Sequence, residues 1–154
     1  GTLPPTLATL SSSLVYLKVS RNLLTGNIPT EYAQLSKLKY IAAHKNSFAG
    51  PLPESISAWS NIEELNFSDN QFEGPIPESY SNWTNIISMD FDNNPLSGSC
   101  GPKLCELVDE REAALAEEGF VFKRDDDGVL VLECWKIECP CASLCCVDGK
   151  CLPS

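Results

Sequence analysis

The sequence predicts an α/β solenoid: an arc of stacked coils with a parallel sheet on its concave side, closed by a disulfide-rich C-terminal helix and hairpin. Asparagine and glycine each recur with one constant spacing through the first part of the chain. A fixed period of about 24 residues indicates stacked repeats. All eight cysteines lie beyond the last of the recurring glycines. The two recurring sets are Asn22, Asn46, Asn70, Asn94 and Gly26, Gly50, Gly74, Gly98.

Apolar columns with the same period predict the core. In each repeat a short segment such as 14–19 alternates apolar and polar residues, which indicates a strand with one buried face. One repeat cannot bury its own apolar face, so neighbouring repeats must stack. The columns are Leu14, Leu38, Ile62, Ile86; Leu17, Ile41, Leu65, Met89; Val19, Ala43, Phe67, Phe91; and Leu24, Phe48, Phe72, Leu96.

The polar and turn positions of the repeat have distinct predicted roles. The four asparagines should form a buried ladder whose amides satisfy backbone groups of adjacent coils. The glycines permit backbone angles closed to other residues. A proline follows the apolar residue at Pro29, Pro53 and Pro77, and predicts an extended convex segment rather than a regular helix.

The unit LxxLxLxxNxLxGxIPxxxxxLxx resembles the plant-type leucine-rich repeat. The resemblance covers roughly positions 1–98 and implies an arc with a ligand-binding concave face. We divide the chain into leucine-rich repeats at 1–99, with a partial first repeat followed by four full repeats, and a cysteine-rich cap at 100–154. The CWKIECPCASLCC segment of the cap resembles the cysteine-rich endings of leucine-rich-repeat proteins from diatoms and related algae.

The start of the chain falls inside a repeat. It has no positively charged start followed by an apolar run. It also lacks an apolar stretch of the roughly 18 residues that a bilayer-spanning helix needs. We therefore expect a mature or truncated fragment. An open solenoid end would be covered either by further repeats or by another chain.

The dense, even set of cysteines predicts disulfides and a secreted, extracellular protein. Zinc is the alternative, but paired CxxC knuckles are absent and the single histidine lies in the repeats. Eight cysteines allow 105 pairings, and the sequence does not choose among them. The predicted disulfide cysteines are Cys100, Cys105, Cys134, Cys139, Cys141, Cys145, Cys146 and Cys151.

The cap should contain one helix and one hairpin. Apolar residues at helical spacing from Leu104 to Leu115 predict the helix. Apolar runs at 120–122 and 129–132 flank a turn at 125–128 and predict a hairpin that covers the last repeat. The acidic turn does not fit a calcium-binding loop of the EF-hand type, since the required acids are missing, so a solvated turn is favoured over a looser carboxylate site.

The charge of the chain excludes some classes of partner. Its net charge is −10 at pH 7, and acidic residues outnumber basic ones in both regions. We therefore expect neither nucleic-acid nor anionic-membrane binding. The acidity favours solubility and basic or cationic partners.

The solvated side chains of the strands form the candidate binding face. They are basic and aromatic in the first two repeats and acidic in the next two, a strip that could bind a partner or pair with a copy of the same chain. Ordinary solvated residues would give the same pattern. The candidate residues are Tyr16, Lys18, Arg21, Tyr40, His44, Lys45, Glu64, Asp69, Asp90 and Asp92, with the two tyrosines as the best candidate contacts.

Two Asn-x-Ser/Thr sequons predict glycan acceptors in a secreted chain. Asn82 should lie on the outer side of the arc, where a glycan does no harm. Asn66 should point from the concave strand, where a glycan would obstruct the binding surface.

No catalytic constellation is visible in the sequence. His44 has no orienting carboxylate or nucleophile in a recognisable motif, and no cleft is expected around Asp90 and Asp92. We predict a non-enzymatic protein without cofactor or metal. It is either a secreted interaction module for a protein or polysaccharide or a self-assembling subunit of an extracellular fibre or coat. Ice or mineral binding ranks last, because the exposed columns vary from repeat to repeat.

Overall fold

The computed structural model describes residues 1–98, 101–117, 146–147 and 150–151. Four successive coils each contribute one short strand to a parallel sheet, which lines the concave side. The strands are shorter than the predicted segments, but their register is the predicted one, with Leu17 beside Ile41, Ile41 beside Leu65, and Leu65 beside Met89. They are β1 (Tyr16–Lys18), β3 (Tyr40–Ala42), β5 (Glu64–Asn66) and β7 (Ser88–Asp90).

A second parallel sheet, which the sequence analysis did not predict, follows the asparagine turns. It contains β2 (Thr25–Gly26), β4 (Ser47–Pro51) and β6 (Gln71–Glu73). The repeated glycines have the positive φ angles expected of them, between 77° at Gly26 and 91° at Gly98. Residues with a side chain rarely adopt these backbone angles, so glycine suits the position where the chain leaves the second sheet.

The convex side carries 3-10 helices, so the prediction of an extended segment there is wrong beyond the prolines. Each helix begins immediately after an extended proline. The tight turn gives backbone donors a partner, as where Tyr32 N–H donates to Pro29 O at 3.0 Å, whereas an extended chain would leave them without one. The helices are η1 (Pro5–Leu10), η2 (Thr30–Gln34), η3 (Glu54–Ala58) and η4 (Glu78–Asn82).

The core fills the space between the two sheets and the convex helices. Residues of the inner coils are essentially inaccessible, and the indole rings of Trp59 and Trp83 stack with centroids 6.5 Å apart. Some members of the apolar columns in the outermost coils, such as Leu14 and Phe91, are only half-buried, whereas Leu17 and Met89 stay buried. Burial therefore depends on having a coil on each side, as stacking requires.

The asparagine ladder is present, but it is not buried throughout. Asn46, Asn70 and Asn94 each accept a backbone N–H from the preceding coil and donate to one of its carbonyls. Asn22 is exposed and bonds only within its own coil, to Val19 O and Ser20 O. The prediction that Asn22 is buried is wrong for the described residues, because none of residues 1–21 forms an asparagine turn against which Asn22 could pack.

A helix closes the last coil, as predicted. This helix, α1 (Pro102–Glu117), packs on η4 and buries Leu104 and Leu107. Arg111 Nε donates to Ile86 O at 2.9 Å, which ties the helix to the end of the repeats.

The cysteine-rich region is described only in part. Cys105 in α1 is disulfide-bonded and buried. Two further strands, β8 (Cys146–Val147) and β9 (Lys150–Cys151), pair antiparallel. The predicted hairpin at 120–132 and its acidic turn lie outside the described residues, and the pairing of the cysteines stays a prediction.

Candidate binding face

The outward positions of the concave strands form two columns. The first runs through Tyr16, Tyr40, Glu64 and Ser88, and the second through Lys18, Ala42, Asn66 and Asp90. Because parallel strands lie about 4.8 Å apart, neighbours in a column are in contact range. The structure therefore brings the predicted face together as one surface with its basic and acidic ends in the predicted order.

Two stacked tyrosines dominate the N-terminal half of this surface. The rings of Tyr16 and Tyr40 are parallel within 1°, with centroids 4.6 Å apart. Tyr16 remains 58% exposed, which is unusual for a large aromatic side chain in this protein. Exposed aromatic rings held rigid by stacking offer a large contact area at low entropic cost.

Tyr40 is held by a polar cluster that the sequence analysis missed. Its hydroxyl donates to Glu63 Oε2, and Lys39 Nζ donates to Glu63 Oε1 at 2.5 Å. Lys39 and Glu63 precede adjacent strands and occupy the same repeat position. The opposite charges of Lys39 and Glu63 at one repeat position were the sequence signal for this ion pair, because residues at the same position of neighbouring coils lie side by side.

The cluster shifts the pKa of all three groups. The hydrogen bond to Glu63 raises the pKa of Tyr40 to about 12 from 10.0. Hydrogen bonds from Lys39 and Tyr40 hold the pKa of Glu63 below its usual value, and the bond to Glu63 raises the pKa of Lys39. Tyr40 therefore keeps its proton to higher pH in the folded protein than in the unfolded chain. Its stabilising contribution is complete below pH 10 and is lost as the pH rises towards about 12.

We expect Glu63→Gln to lower the pKa of Tyr40 towards its ordinary value, because the hydrogen bond to Glu63 is the largest cause that raises it. Spectrophotometric titration of the phenolate band would measure this, with Glu73→Gln as the control, because Glu73 is exposed on the second sheet and does not contribute to the shift of Tyr40. Burial independently raises the pKa of Tyr32 to about 12, so that tyrosine should titrate unchanged in both variants. An unchanged titration curve in Glu63→Gln would contradict the cluster.

The residue before each ladder asparagine adopts a left-handed conformation, a feature with no clear sequence signal. The φ angles are 57° at Arg21, 56° at Lys45, 53° at Asp69 and 52° at Asn93. Asparagine and aspartate tolerate this region, but it strains long side chains by about 1 kcal/mol or more. The conformation turns the chain sharply after the strand and directs the next side chain, the ladder asparagine, inward.

This left-handed column also joins the basic and acidic halves of the face. Lys45 Nζ lies 4.0 Å from Asp69 Oδ2, and Asn93 Nδ2 donates to Asp69 Oδ1 at 3.1 Å. The Lys45–Asp69 pair is largely exposed, so its contribution to stability is small. It marks the boundary where the sign of the surface charge changes.

The acidic half is less open than predicted. Asp90 and Asp92 are half-buried, Asn66 Nδ2 donates to Asp90 Oδ2 at 2.8 Å, and Asp92 N–H donates to Asp90 Oδ1 at 3.0 Å. Glu64 is exposed on the same surface. The expectation that Asp90 and Asp92 are open to solvent is therefore wrong, because Asn66 of the adjacent coil bonds Asp90 and Asn93 of the same coil bonds Asp92.

The remaining predicted positions are also placed by the repeats. Lys18 is exposed on the strand that carries Tyr16, and Arg21 is exposed in the turn after that strand. His44 is half-buried with its Nδ1 atom shielded from solvent. Within the described ranges, no cluster of three histidine, cysteine or acidic residues is arranged to hold a metal ion. No helix in the described part of the chain is long and apolar enough to cross a membrane.

Comparison with known proteins agrees with this geometry. The family profile described as Leucine Rich Repeat matches residues 61–83, and no curated protein matches the chain. Among solved structures, a TDR receptor is similar at 36% identity and a TM-score of 0.68, over 70% of this chain and 18% of the receptor. The plant peptide hormone receptor RGFR1, solved with RGF2, is similar at 31% identity and a TM-score of 0.65, over 69% and 17%.

A third similar structure has a different stated property. It is a plant ice-binding protein with 27% identity and a TM-score of 0.66, over 70% of this chain and 34% of that protein. This chain thus spans between 17% and 34% of the length of these three structures. The protein has the leucine-rich-repeat fold, and its repeats are similar to those of plant receptor ectodomains. The resemblance of the cysteine-rich region to algal endings stays a prediction.

Proposed function

We propose that this chain is a secreted, non-catalytic interaction module whose concave face binds a protein or peptide. The observation that carries the proposal is the exposed Tyr16–Tyr40 stack, held by Glu63, with the basic Lys18 and Arg21 exposed in the same coil as Tyr16. Tyrosine and arginine are enriched among residues that dominate binding energy. Two similar structures support the same class of function. One is the peptide hormone receptor RGFR1 in complex with RGF2, and the other is the ectodomain of the receptor kinase SOBIR1.

The charge distribution suggests the orientation of the bound segment. Acidic side chains of a partner would lie near Lys18, Arg21 and Lys45, and basic ones near Glu64 and Asp90. Such complementarity steers association and suppresses wrong partners more than it adds affinity. Binding should therefore slow as salt increases, through the association rate.

The test is a selection of binding peptides from a random display library on the immobilised full chain, followed by kinetic measurement of the selected peptides. Tyr16→Ala is expected to weaken binding at least about tenfold, since loss of a dominant aromatic contact costs about 2 kcal/mol or more and a tenfold change corresponds to about 1.4 kcal/mol. Tyr16 makes no side-chain hydrogen bond in the described part of the chain, so its removal breaks none of the hydrogen bonds of the Glu63 cluster. Gln34→Ala, exposed on the convex side, is the matched control. Equal affinity of both variants, or failure of the library to yield any binding peptide, would count against the proposal.

Self-assembly into a fibre or coat is the second candidate. Leu10, Tyr16 and Leu23 of the first coil are exposed, with Leu23 at 87%, and a stacked copy of the chain would bury them. Light scattering and negative-stain imaging of the native protein separate the two candidates. Ordered polymers support the fibre, and a monodisperse monomer contradicts it.

Ice binding receives less support from the surface. The exposed concave column changes from lysine to alanine, asparagine and aspartate along Lys18, Ala42, Asn66 and Asp90. A regular lattice would need a repeated row of like residues. We therefore do not propose ice binding for this chain, although the similar plant protein is an ice-binding protein.

A further inference from the structure

The two sequons lie in opposite environments. In the first, Asn66 Nδ2 donates to Asp90 Oδ2 at 2.8 Å, and Asn66 Oδ1 accepts both the N–H of Ser68, at 3.1 Å, and its hydroxyl, at 2.8 Å. Ser68 is only 7% exposed. The acceptor amide and the hydroxyl of this sequon are therefore both structural parts of the concave sheet.

The second sequon projects away from the fold. Asn82 ends η4, and both Asn82 and Thr84 are exposed, whereas Trp83 between them is fully buried. The inward indole directs its two neighbours outward. The side chain of Asn82 makes no hydrogen bond to the described residues, although η4 itself packs against α1. Nothing in the described repeats competes for this amide.

We propose that the folded protein carries an N-linked glycan on Asn82 and none on Asn66. In the transfer, Asn82 Nδ2 forms a bond to the anomeric carbon of an oligosaccharide carried on a lipid diphosphate. The bond from that carbon to the diphosphate oxygen breaks, Nδ2 loses one proton, and the lipid diphosphate leaves. No oxidant or reductant is needed.

A glycan on Asn66 would conflict with the strand packing. It would replace one of the two N–H groups of an amide that bonds Asp90, and the sugar would lie over strands only about 4.8 Å apart. A modification there would disturb the side-chain bond between Asn66 and Asp90, which supplements the backbone pairing of β5 with β7. A glycan on Asn82 disturbs no bond of the described repeats and leaves the concave face clear.

The inference depends on the secretory route that the proposed function assumes, so the experiment supplies that route directly. The full chain is secreted from a eukaryotic cell behind an added signal sequence. Its glycans are then released by an amidase in water that carries a heavy oxygen isotope, so that each asparagine that held a glycan becomes an aspartate labelled with heavy oxygen. Peptide mapping should then find the label at Asn82 and not at Asn66. Label at Asn66, or no label at Asn82, overturns the inference.

A matched pair of variants tests the acceptor without altering Asn82. Thr84→Ala should remove the whole mass of one glycan from the secreted protein, and Thr84→Ser should retain it, because the sequon accepts either hydroxyl residue. Loss of the glycan in both variants, or in neither, contradicts the assignment. These readouts are masses, so they stand whether or not the concave face binds a peptide, and failure of the binding proposal leaves them unaffected.

Discussion

Replacing Trp59 with alanine is expected to lower the free energy of unfolding by about 4 kcal/mol, the largest single effect in the repeats. The indole is fully buried and stacks on Trp83. Its Nε1 donates to Tyr32 O at 2.7 Å, linking two coils on the convex side. Alanine leaves a cavity at the centre of the stack, where coils on both sides prevent collapse. Urea denaturation followed by circular dichroism measures the loss.

Trp59→Phe separates packing from hydrogen bonding. Phenylalanine keeps most of the apolar volume and removes the Nε1 donor, and Tyr32 O still accepts the N–H of Leu35 at 2.9 Å. No buried group is left without a partner, so the cost should be only about 1–2 kcal/mol. If the phenylalanine variant were as unstable as the alanine variant, the indole hydrogen bond rather than packing would dominate the site.

Asn70→Ala is expected to cost about 3 kcal/mol, because it leaves a buried donor without a partner. Asn70 Oδ1 accepts Phe48 N–H at 3.1 Å, and Nδ2 donates to Ala43 O, Phe67 O and Ser68 O. After the change, each of the three carbonyls still accepts a hydrogen bond from another donor. The N–H of Phe48 has no second acceptor in the described part of the chain, and Phe48 is fully buried. The same urea measurement applies.

Asn22→Ala is the matched control for this prediction. Asn22 occupies the same repeat position, but it is exposed and bonds only carbonyls of its own coil. Val19 O retains the amide of Asn46 after the change. The expected loss is below about 1 kcal/mol. Equal losses in Asn70→Ala and Asn22→Ala would show that the ladder acts within coils rather than between them.

Much of the fold was predictable, because a strict period places equivalent residues side by side. The register of Tyr16 with Tyr40, and of Tyr40 with Glu64, follows from the spacing alone. The cap helix was predictable from the spacing of its apolar residues, including the buried Leu104 and Leu107. The convex helices were not, since a short Pro-led segment has no periodicity to distinguish a 3-10 turn from extended chain.

The sequence identified the residues of the candidate site, but it did not predict the hydrogen bonds that hold them. Tyr16 and Tyr40 were identified as contacts, but the support of Tyr40 by Glu63 and Lys39 was not, because Glu63 precedes its strand and was not assigned to the face. The left-handed conformation of Lys45 was equally hidden. Residues with long side chains seldom adopt the left-handed conformation, so the residue type at this position did not predict it.

By itself the sequence determined the repeat, its core columns, the parallel register and the order of charge along the concave face, since these depend only on which residues recur at which spacing. Only the tertiary structure decided which members of a column are buried and which polar groups pair. Asn70 is buried and Asn22 exposed although their repeat positions are the same. Burial and hydrogen bonding depend on the coil stacked on either side, which a single repeat does not contain.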